Sequence, residues 1–209
     1  MTTSDDYSLA ATKAFFGPKA AGWEDRFPDD GPAYEAAIAE LGLRQGDCVL
    51  DLACGTGRAL PILRRSVGPD GRVVAVDVTP EMLDEAVGQG RSRDASLLLA
   101  DACCLPLVSC CLDGILASGL IPHLADPDYC LRELSRVARP KARLGLFHPV
   151  GRVALAARHR SVPRADDIRA EPAMRAMLQR TGWRAEVIDD REERYLVIAS
   201  KAVTEGHRH

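Results

Sequence analysis

The sequence has no long hydrophobic run, few aromatic residues and no large excess of either charge. No stretch of about 18 consecutive apolar residues occurs, so no membrane-spanning helix and no membrane partner are predicted. Residues 1–11 include Asp5 and Asp6 and do not resemble a secretory signal, which favours a cytoplasmic location. A formal net charge of -3 and an aromatic content of 5% argue against a nucleic-acid partner.

The cysteines lack the spacing of a zinc site. There are seven, and the adjacent pairs Cys103–Cys104 and Cys110–Cys111 do not form the C-x-x-C pattern, so no metal site is predicted. In a cytoplasmic chain the thiols should be reduced and should pack as small buried hydrophobic groups. A thiophilic metal or metalloid site is the alternative.

The 209 residues and a 46% hydrophobic content are sufficient for one domain with a sizeable core. Short β-rich apolar runs occupy residues 48–53, 72–77, 96–100, 112–117 and 142–147, and helix-like segments separate them. After a helical stretch over residues 166–181, residues 183–188 and 194–201 read as two strands. Their short hydrophilic link predicts antiparallel pairing.

This order predicts a doubly wound, Rossmann-like α/β fold. Its seven-stranded sheet should be mostly parallel, with an antiparallel last strand and helices on both faces. We expect one domain over residues 1–209. It comprises an N-terminal lid or helical segment (1–42), a cofactor-binding core (43–150), and a C-terminal helix with the antiparallel strand pair (151–209).

The segment Asp51-Leu52-Ala53-Cys54-Gly55-Thr56-Gly57 lies where a predicted strand ends and a helix begins. Glycines let backbone approach a ligand closely, and the free N–H groups of a helix N-terminus favour a negative group. Asp77 ends the next strand, where an acid bonds ribose hydroxyls in nucleotide-binding folds. The sequence therefore predicts a nucleotide-like cofactor at this edge of the sheet. A tight turn that serves another ligand is the alternative.

The identity of the cofactor depends on the glycine pattern. The dinucleotide fingerprint requires a small third residue, but Leu60 stands there, so NAD is disfavoured. The acid-x-Ala-x-Gly-x-Gly pattern instead resembles motif I of the class I S-adenosylmethionine (SAM) dependent methyltransferases, with Ala53 replacing the first glycine. Among these enzymes, the methyltransferase domain resembles the ubiquinone/menaquinone biosynthesis methyltransferases.

The resemblance continues through residues 100–107, 111–118 and 131–140, and more weakly to the end of the chain. It implies SAM as cofactor and S-adenosylhomocysteine (SAH) as product. Asp77 matches the ribose-binding acid, Asp101 the partner of the adenine amino group, and the backbone of Ala102 the partner of the adenine ring. The full set of cofactor-binding residues that it implies is Asp51, Ala53, Gly55, Gly57, Asp77, Val78, Asp101, Ala102 and Ser118.

Methyl transfer from a sulfonium is an in-line displacement that depends mainly on positioning, and an acceptor of high pKa also needs a base. His123 follows the fourth strand and His148 ends the fifth, both at the ligand-binding edge. They are the candidate catalytic residues. The alternative for His123 is a histidine that caps the next helix or packs beneath the loop.

Two segments bear on the acceptor. Residues 7–34 include Phe15, Phe16, Trp23 and Phe27, which predict a lid over the pocket or a segment docked on the sheet. Residues 134–165 contain no Asp or Glu but many arginines. They are interpreted as a solvated face that pairs with the acidic N-terminal segment or, alternatively, as an electropositive rim for an anionic acceptor.

The sequence therefore predicts a SAM-dependent methyltransferase that acts on a small molecule, as a monomer or homodimer. RNA or protein methylation is an alternative, disfavoured because no basic aromatic appendage is present. A non-catalytic SAM-binding subunit is another, since a cofactor site can persist without turnover.

Overall fold

The structure, a computed structural model, describes residues 8–26, 30–158, 160–164 and 166–202. Within these residues a single sheet is formed in the order β3-β2-β1-β4-β5-β7-β6. The strands are β1 (Cys48–Leu52), β2 (Arg72–Asp77), β3 (Ser96–Leu99), β4 (Leu112–Ser118), β5 (Ala138–His148), β6 (Trp183–Arg191) and β7 (Arg194–Lys201).

Strands β1 to β5 are parallel, and β7 runs antiparallel to both of its neighbours, β5 and β6. The predicted mostly parallel seven-stranded sheet is confirmed. The reversed strand does not lie at the edge of the sheet, however. β7 lies inside and β6 forms the edge, because six consecutive residues of β7 are buried whereas β6 is largely exposed or half-buried.

Helices cover the sheet on both sides. They are α1 (Leu9–Phe16), α2 (Trp23–Arg26), α3 (Gly31–Leu41), α4 (Leu60–Val67), α5 (Pro80–Gly88), α6 (Pro127–Val137), α7 (Arg152–Arg158) and α8 (Glu171–Arg180). Short 3₁₀ helices occupy Gly17–Gly22, Arg91–Arg93 and Ile121–His123.

The two sides of the sheet carry separate hydrophobic clusters, because side chains alternate along a strand. On one side Leu50 and Leu52 of β1 join the core with α6 and α8, where the Trp183 indole N–H donates to the Leu131 carbonyl at 3.0 Å. On the other side Val49 joins the core with α3 and α4. The prediction of helices on both faces is confirmed.

Helix starts follow local backbone geometry. Asp126 caps α6 by accepting from the Tyr129 N–H at 2.9 Å, as its position predicts. Thr79 stands at the N-cap of α5, but its side chain makes no capping bond. The helix that follows the glycine segment, α4, begins at Leu60, because Gly57 adopts a φ of 81° and the chain is still turning there.

The parallel strands bring their carboxyl ends to one edge of the sheet, where Asp77, Ser118 and His148 end β2, β4 and β5. No helix in the described part of the chain combines the length and the apolar character needed to cross a membrane.

Candidate cofactor and acceptor site

The glycine turn after β1 is built from left-handed residues. Ala53, Gly55 and Gly57 have φ values of 56°, 54° and 81°. Alanine seldom adopts this conformation, so Ala53 stores strain where the resembling family has glycine. A Cβ placed on Gly55 would come within 4 Å only of Met82 Sδ, at 3.9 Å. The backbone at Gly55 is therefore open to a neighbouring group.

Asp51 lies beneath this turn and is 1% exposed. Its Oδ2 has no hydrogen-bond partner among the described residues, and neither has the buried Oγ of Ser118. Burial, with a smaller contribution from the charge of Asp77, raises the pKa of Asp51 to about 8. Two orphaned polar atoms at the ligand edge form a site that a hydrogen-bond donor would complete.

Tyr34 of α3 reaches the same place. Burial raises the pKa of its hydroxyl, and the charge of Asp51 raises it further, whereas the nearby Ser118 side chain opposes the shift. Sequence reasoning missed Tyr34. No motif marks it, and its side chain arrives from an element remote in sequence from the glycine turn.

Asp77 is fixed by backbone donors. Its Oδ2 accepts from the Gly55 N–H and its Oδ1 from the Thr79 N–H, each at 2.8 Å. Burial raises the pKa of Asp77, and these hydrogen bonds oppose the rise. The Thr79 side chain and the Val78 N–H also act on this carboxylate and oppose the rise in its pKa. Val78 follows directly, between Asp77 and the start of α5.

Asp101 and Ala102 form a tight turn after β3. The Asp101 carboxylate accepts from the Cys103 N–H at 2.8 Å, and its carbonyl accepts from the Cys104 N–H at 3.0 Å. The Ala100 N–H donates to the Asp77 carbonyl at 3.1 Å, which joins this turn to the end of β2. The residues that the sequence assigns to adenine and ribose thus lie at adjoining strand ends.

The two candidate catalytic histidines are neighbours. Burial lowers the pKa of His123, and the charges of His148 and Arg169 lower it further. Burial also lowers the pKa of His148, with Arg169 adding to the effect. His148 Nδ1 lies 2.8 Å from the Val150 carbonyl. Near neutral pH both rings are therefore uncharged. The alternative of a helix-capping His123 is not observed, since His123 belongs to a 3₁₀ helix that ends before Asp126 caps α6.

Aromatic residues of the N-terminal segment pack on His123. The Phe16 ring lies 5.0 Å from the imidazole and 5.9 Å from the Trp23 ring, and the Phe15 ring lies 6.5 Å from the imidazole. Phe27 lies outside the described residues. The segment is therefore docked at the edge of the sheet where His123 lies, whereas its role as a lid stays a prediction.

Glu24 of α2 attaches this segment to the glycine turn. Its carboxylate accepts from the Thr56 hydroxyl at 2.6 Å and from Arg91 at 2.9 and 3.0 Å, and it pairs with Arg58 at 3.3 Å. These bonds, led by the one from Arg91, lower the pKa of Glu24 to about 2. We name this cluster of four side chains the Glu24 latch.

The arginines of residues 134–165 do not form the expected rim. Five of them pair with carboxylates: Arg136 with Glu133, Arg139 with Asp113, Arg143 with Glu186, Arg152 with Asp190, and Arg164 with Asp166. For Arg136, Arg139, Arg143 and Arg152, the predicted pairing with the acidic N-terminal segment is wrong. Glu24 and Glu35 of that segment pair instead with arginines of residues 58–91. The case for an electropositive rim loses its main support, because the charges are balanced locally.

The cysteines also differ from expectation. Cys54 and Cys130 are buried, but Cys104 and Cys110 are exposed, so the prediction of small buried groups is wrong for these two. Both lie in turns, where the chain directs side chains outward; Cys110 has a φ of 55°. Within the described residues, no three His, Cys, Asp or Glu side chains converge in a way that could hold a metal ion.

Comparison with known proteins relates part of the chain to one protein family. Residues 49–141 match the family described as "Methyltransferase domain". The demethylmenaquinone methyltransferase of Lactobacillus johnsonii is 31% identical over 130 residues, which cover 60% of this chain and 49% of that protein. The ubiquinone/menaquinone biosynthesis C-methyltransferase of Hahella chejuensis is 34% identical over 111 residues, covering 51% of this chain and 45% of that protein.

Among solved structures, a SAM-dependent methyltransferase from Aquifex aeolicus superposes with a TM-score of 0.68 at 26% identity, over 81% of this chain and 89% of that one. Residues 49–141 therefore match a methyltransferase domain, and the chain is similar in sequence and fold to SAM-dependent methyltransferases. The cofactor of this methyltransferase family is SAM. The chain spans about half the length of the curated relatives that it matches.

Proposed function

We propose that the protein transfers a methyl group from SAM to a small-molecule acceptor. The observation that carries the proposal is the buried Asp51 carboxylate, whose Oδ2 lacks a partner among the described residues beside the open backbone of Gly55. SAM has a cationic ammonium group that a buried carboxylate would bind. The residues present therefore fit the cofactor.

We assign the other cofactor contacts by position. Asp77 accepts from the ribose hydroxyls, and Val78 borders the same sugar. Asp101 accepts from the adenine amino group, and the Ala102 backbone meets the ring. Ala53, Gly55 and Gly57 keep the backbone close to the methionine part, where Ser118 Oγ faces inward.

We propose that the acceptor binds beside His123 and His148. Bound SAM supplies a methyl group on a good leaving group, so the protein has to align the acceptor and shield it from water. Val150 contacts His148 Nδ1 through its carbonyl at 2.8 Å and through its N–H at 3.1 Å, which fixes the orientation of the ring. His148, uncharged because of burial, is one candidate base. His123, uncharged because of burial, is the second candidate base.

The aromatic groups favour an apolar ring as acceptor. Phe15 and Phe16 cover His123 at the pocket edge, and the curated relatives are named as quinone-pathway methyltransferases. The two groups of observations agree on a flat, apolar substrate. An anionic acceptor is the second option, favoured by Arg169 near both histidines, by Lys19 near His123 and by Arg158 near His148.

Calorimetry with SAM, SAH and NAD tests the cofactor. We expect SAM and SAH to bind and NAD not to bind. The Asp77→Asn variant should bind SAH about tenfold or more weakly, since a hydrogen bond to a charged group contributes about 1.5–3 kcal/mol. Asp70→Asn, an exposed control, should bind as the wild type does. Binding of NAD but not SAM would contradict the proposal.

Methyl transfer to the acceptor is tested by measuring turnover as well as SAH binding. With a demethylated quinone as acceptor, His123→Ala and His148→Ala should bind SAH normally and lose turnover by about a hundredfold or more for the residue that acts as base. Normal turnover in both variants would remove the histidines from the mechanism. SAM binding without turnover on any small acceptor would favour a non-catalytic subunit.

A further inference from the structure

The connection from β3 to β4, residues 100–111, lies wholly within the described part of the chain and contains no helix. Its backbone N–H and C=O groups therefore need partners other than those of a regular helix, because polar groups are costly to leave unpaired. The connection begins with the turn at Asp101 and Ala102, to which we assign the adenine. Its hydrogen-bond partners consequently influence where the adenine-binding turn lies.

Two side chains of α6, Glu133 and Arg136, supply several of these partners. The Arg136 guanidinium donates to both Glu133 carboxylate oxygens, each at 2.7 Å. It also donates to the Leu107 carbonyl at 2.9 Å, to the Ser109 hydroxyl at 3.2 Å and to the Leu105 carbonyl at 3.2 Å. These bonds match the five N–H donors of an arginine. Glu133 Oε1 accepts in addition from the Leu105 N–H at 2.8 Å. We name these two residues the Glu133–Arg136 clamp.

The clamp depends on the shape of the guanidinium as well as on its charge. The hydrogen bonds from Arg136 lower the pKa of Glu133, and burial opposes this shift, so the carboxylate is ionised near neutral pH. The planar guanidinium pairs with this carboxylate through two parallel bonds and still has donors for the carbonyls. A lysine ammonium is a single point of charge and cannot make the same set of contacts.

The adenine-binding turn is fixed at both of its ends. At its start, the Ala100 N–H donates to the Asp77 carbonyl at 3.1 Å. At its end, Leu105 is held by the clamp through both its N–H and its carbonyl. Between them the Cys103 N–H donates to the Asp101 carboxylate at 2.8 Å. Release of Leu105 would free one end of the turn and with it the orientation of the Asp101 carboxylate.

We propose that the Glu133–Arg136 clamp is a positioning element that makes the protein selective for adenine, by holding the Asp101 carboxylate where the adenine amino group donates to it. The inference rests on the proposed function, since it requires SAM as ligand and Asp101 as the partner of its base. The clamp residues act through the turn. A site arranged to accept a hydrogen bond rejects a ligand that lacks the donor, because its acceptor is then left unpaired.

Calorimetry with SAH and with S-inosylhomocysteine tests the proposal. The analogue carries a carbonyl oxygen in place of the adenine amino group. Wild-type protein should bind SAH about tenfold or more tightly than the analogue. In Arg136→Lys, which keeps the charge but loses the planar fork, this ratio should fall about threefold or more. Arg132→Lys, at a more exposed position of the same helix, should keep the wild-type ratio.

Hydrogen exchange of the ligand-free protein, followed by mass spectrometry, gives a measurement that does not depend on the cofactor. Peptides that cover residues 101–109 should exchange several-fold faster in Arg136→Lys than in the wild type, because the turn opens more often. Arg132→Lys should exchange as the wild type does. Glu133→Gln, which removes the charge at nearly the same size, should resemble Arg136→Lys in both experiments.

The outcomes separate this inference from the proposed function. If Arg136→Lys loses affinity for SAH and for the analogue equally, or keeps the wild-type ratio, the clamp does not set base selectivity and the inference is wrong. Equal binding of SAH and the analogue by the wild type would overturn the assignment of Asp101 and the inference with it. If the wild type binds neither SAM nor SAH, the proposed function fails, while hydrogen exchange still shows whether the clamp holds the turn.

Discussion

A carboxyl group sealed from water, such as that of Asp51, costs free energy when it ionises. The structure provides no cation for it within the described residues, and Asp77 adds a like charge. The ligand-free protein therefore holds this carboxyl group largely protonated near neutral pH, at the position where we place the cofactor ammonium. Ionisation of Asp51 lowers the stability of the ligand-free protein, and binding of the cofactor ammonium would offset that cost.

The pH dependence of unfolding tests this interpretation. Burial raises the pKa of Asp51 from 3.8 to about 8, so the folded state holds a proton that the unfolded state releases in this range. The contribution of Asp51 to stability should therefore fall as pH rises from about 4 to about 8, by up to about 1.4 kcal/mol per pH unit, and then level off. Urea unfolding of ligand-free protein, repeated across this range, measures the slope.

The Asp51→Asn variant removes the titrating group and should unfold with a flatter pH profile. Asp70→Asn, at an exposed position, should keep the wild-type slope. Parallel profiles for the wild type and Asp51→Asn would show that this carboxyl group does not titrate as described.

At the scale of elements, the N-terminal segment is held by charge as well as by aromatic packing. The Glu24 latch joins α2 to the glycine turn and to the 3₁₀ helix Arg91–Arg93. Arg91 Nη1 also donates to the Thr56 carbonyl at 2.6 Å. The Arg91 guanidinium therefore connects Glu24 of α2 to Thr56 of the glycine turn. The position of the segment thus depends on the turn that we assign to SAM.

Limited proteolysis tests the latch. Glu24→Gln removes the charge, and we expect cleavage within residues 8–26 several-fold faster, because local opening becomes easier. Glu35→Gln is the matched control, since its pair with Arg65 is exposed, with side-chain accessibilities of 60% and 61%. Equal cleavage rates in the two variants would assign the docking to the aromatic residues alone.

Low pH should act in the same direction. The pKa of Glu24 is lowered from 4.5 to about 2. The stabilisation that the Glu24 latch provides is therefore complete above pH 4.5 and is lost as the pH falls through about 2. In Glu24→Gln the cleavage rate should depend less on acid than in the wild type.

At the scale of the whole molecule, the sheet is completed by a strand from far along the chain. β7 lies between β5 and β6, and Leu196, Val197 and Ile198 are at most 1% exposed. This strand connects the cofactor half of the sheet to its edge. The stability of the whole domain therefore depends on residues distant from the motif that identifies it.

Matched truncations measure this dependence. Ile198→Ala in β7 should lower the free energy of unfolding by about 2–5 kcal/mol, because it leaves a cavity in a closed core. Val187→Ala in β6, where the side chain is 40% exposed, should cost about 1 kcal/mol or less. Denaturant unfolding at one pH gives both values. Similar losses at the two positions would contradict the assignment of β7 as the interior strand.

The sequence predicts the strands well because buried parallel strands are continuous apolar runs. Residues 72–77 and 194–201 have the predicted bounds. The latch was not predictable, because Glu24 and Arg91 lie 67 positions apart and neither belongs to a motif. The same holds for Tyr34 and for the carboxylates that balance the arginines of residues 134–165. Such contacts depend on which surfaces meet after folding.

The interior position of β7 also constrains how the protein is made. While residues 194–201 are still in the ribosome, the nascent chain has completed β5 but leaves one side of it unpaired. An open strand edge can pair with another chain, so this stage carries a risk of aggregation. A chaperone that covers the edge of β5 until residues 194–201 have left the ribosome would protect the growing polypeptide.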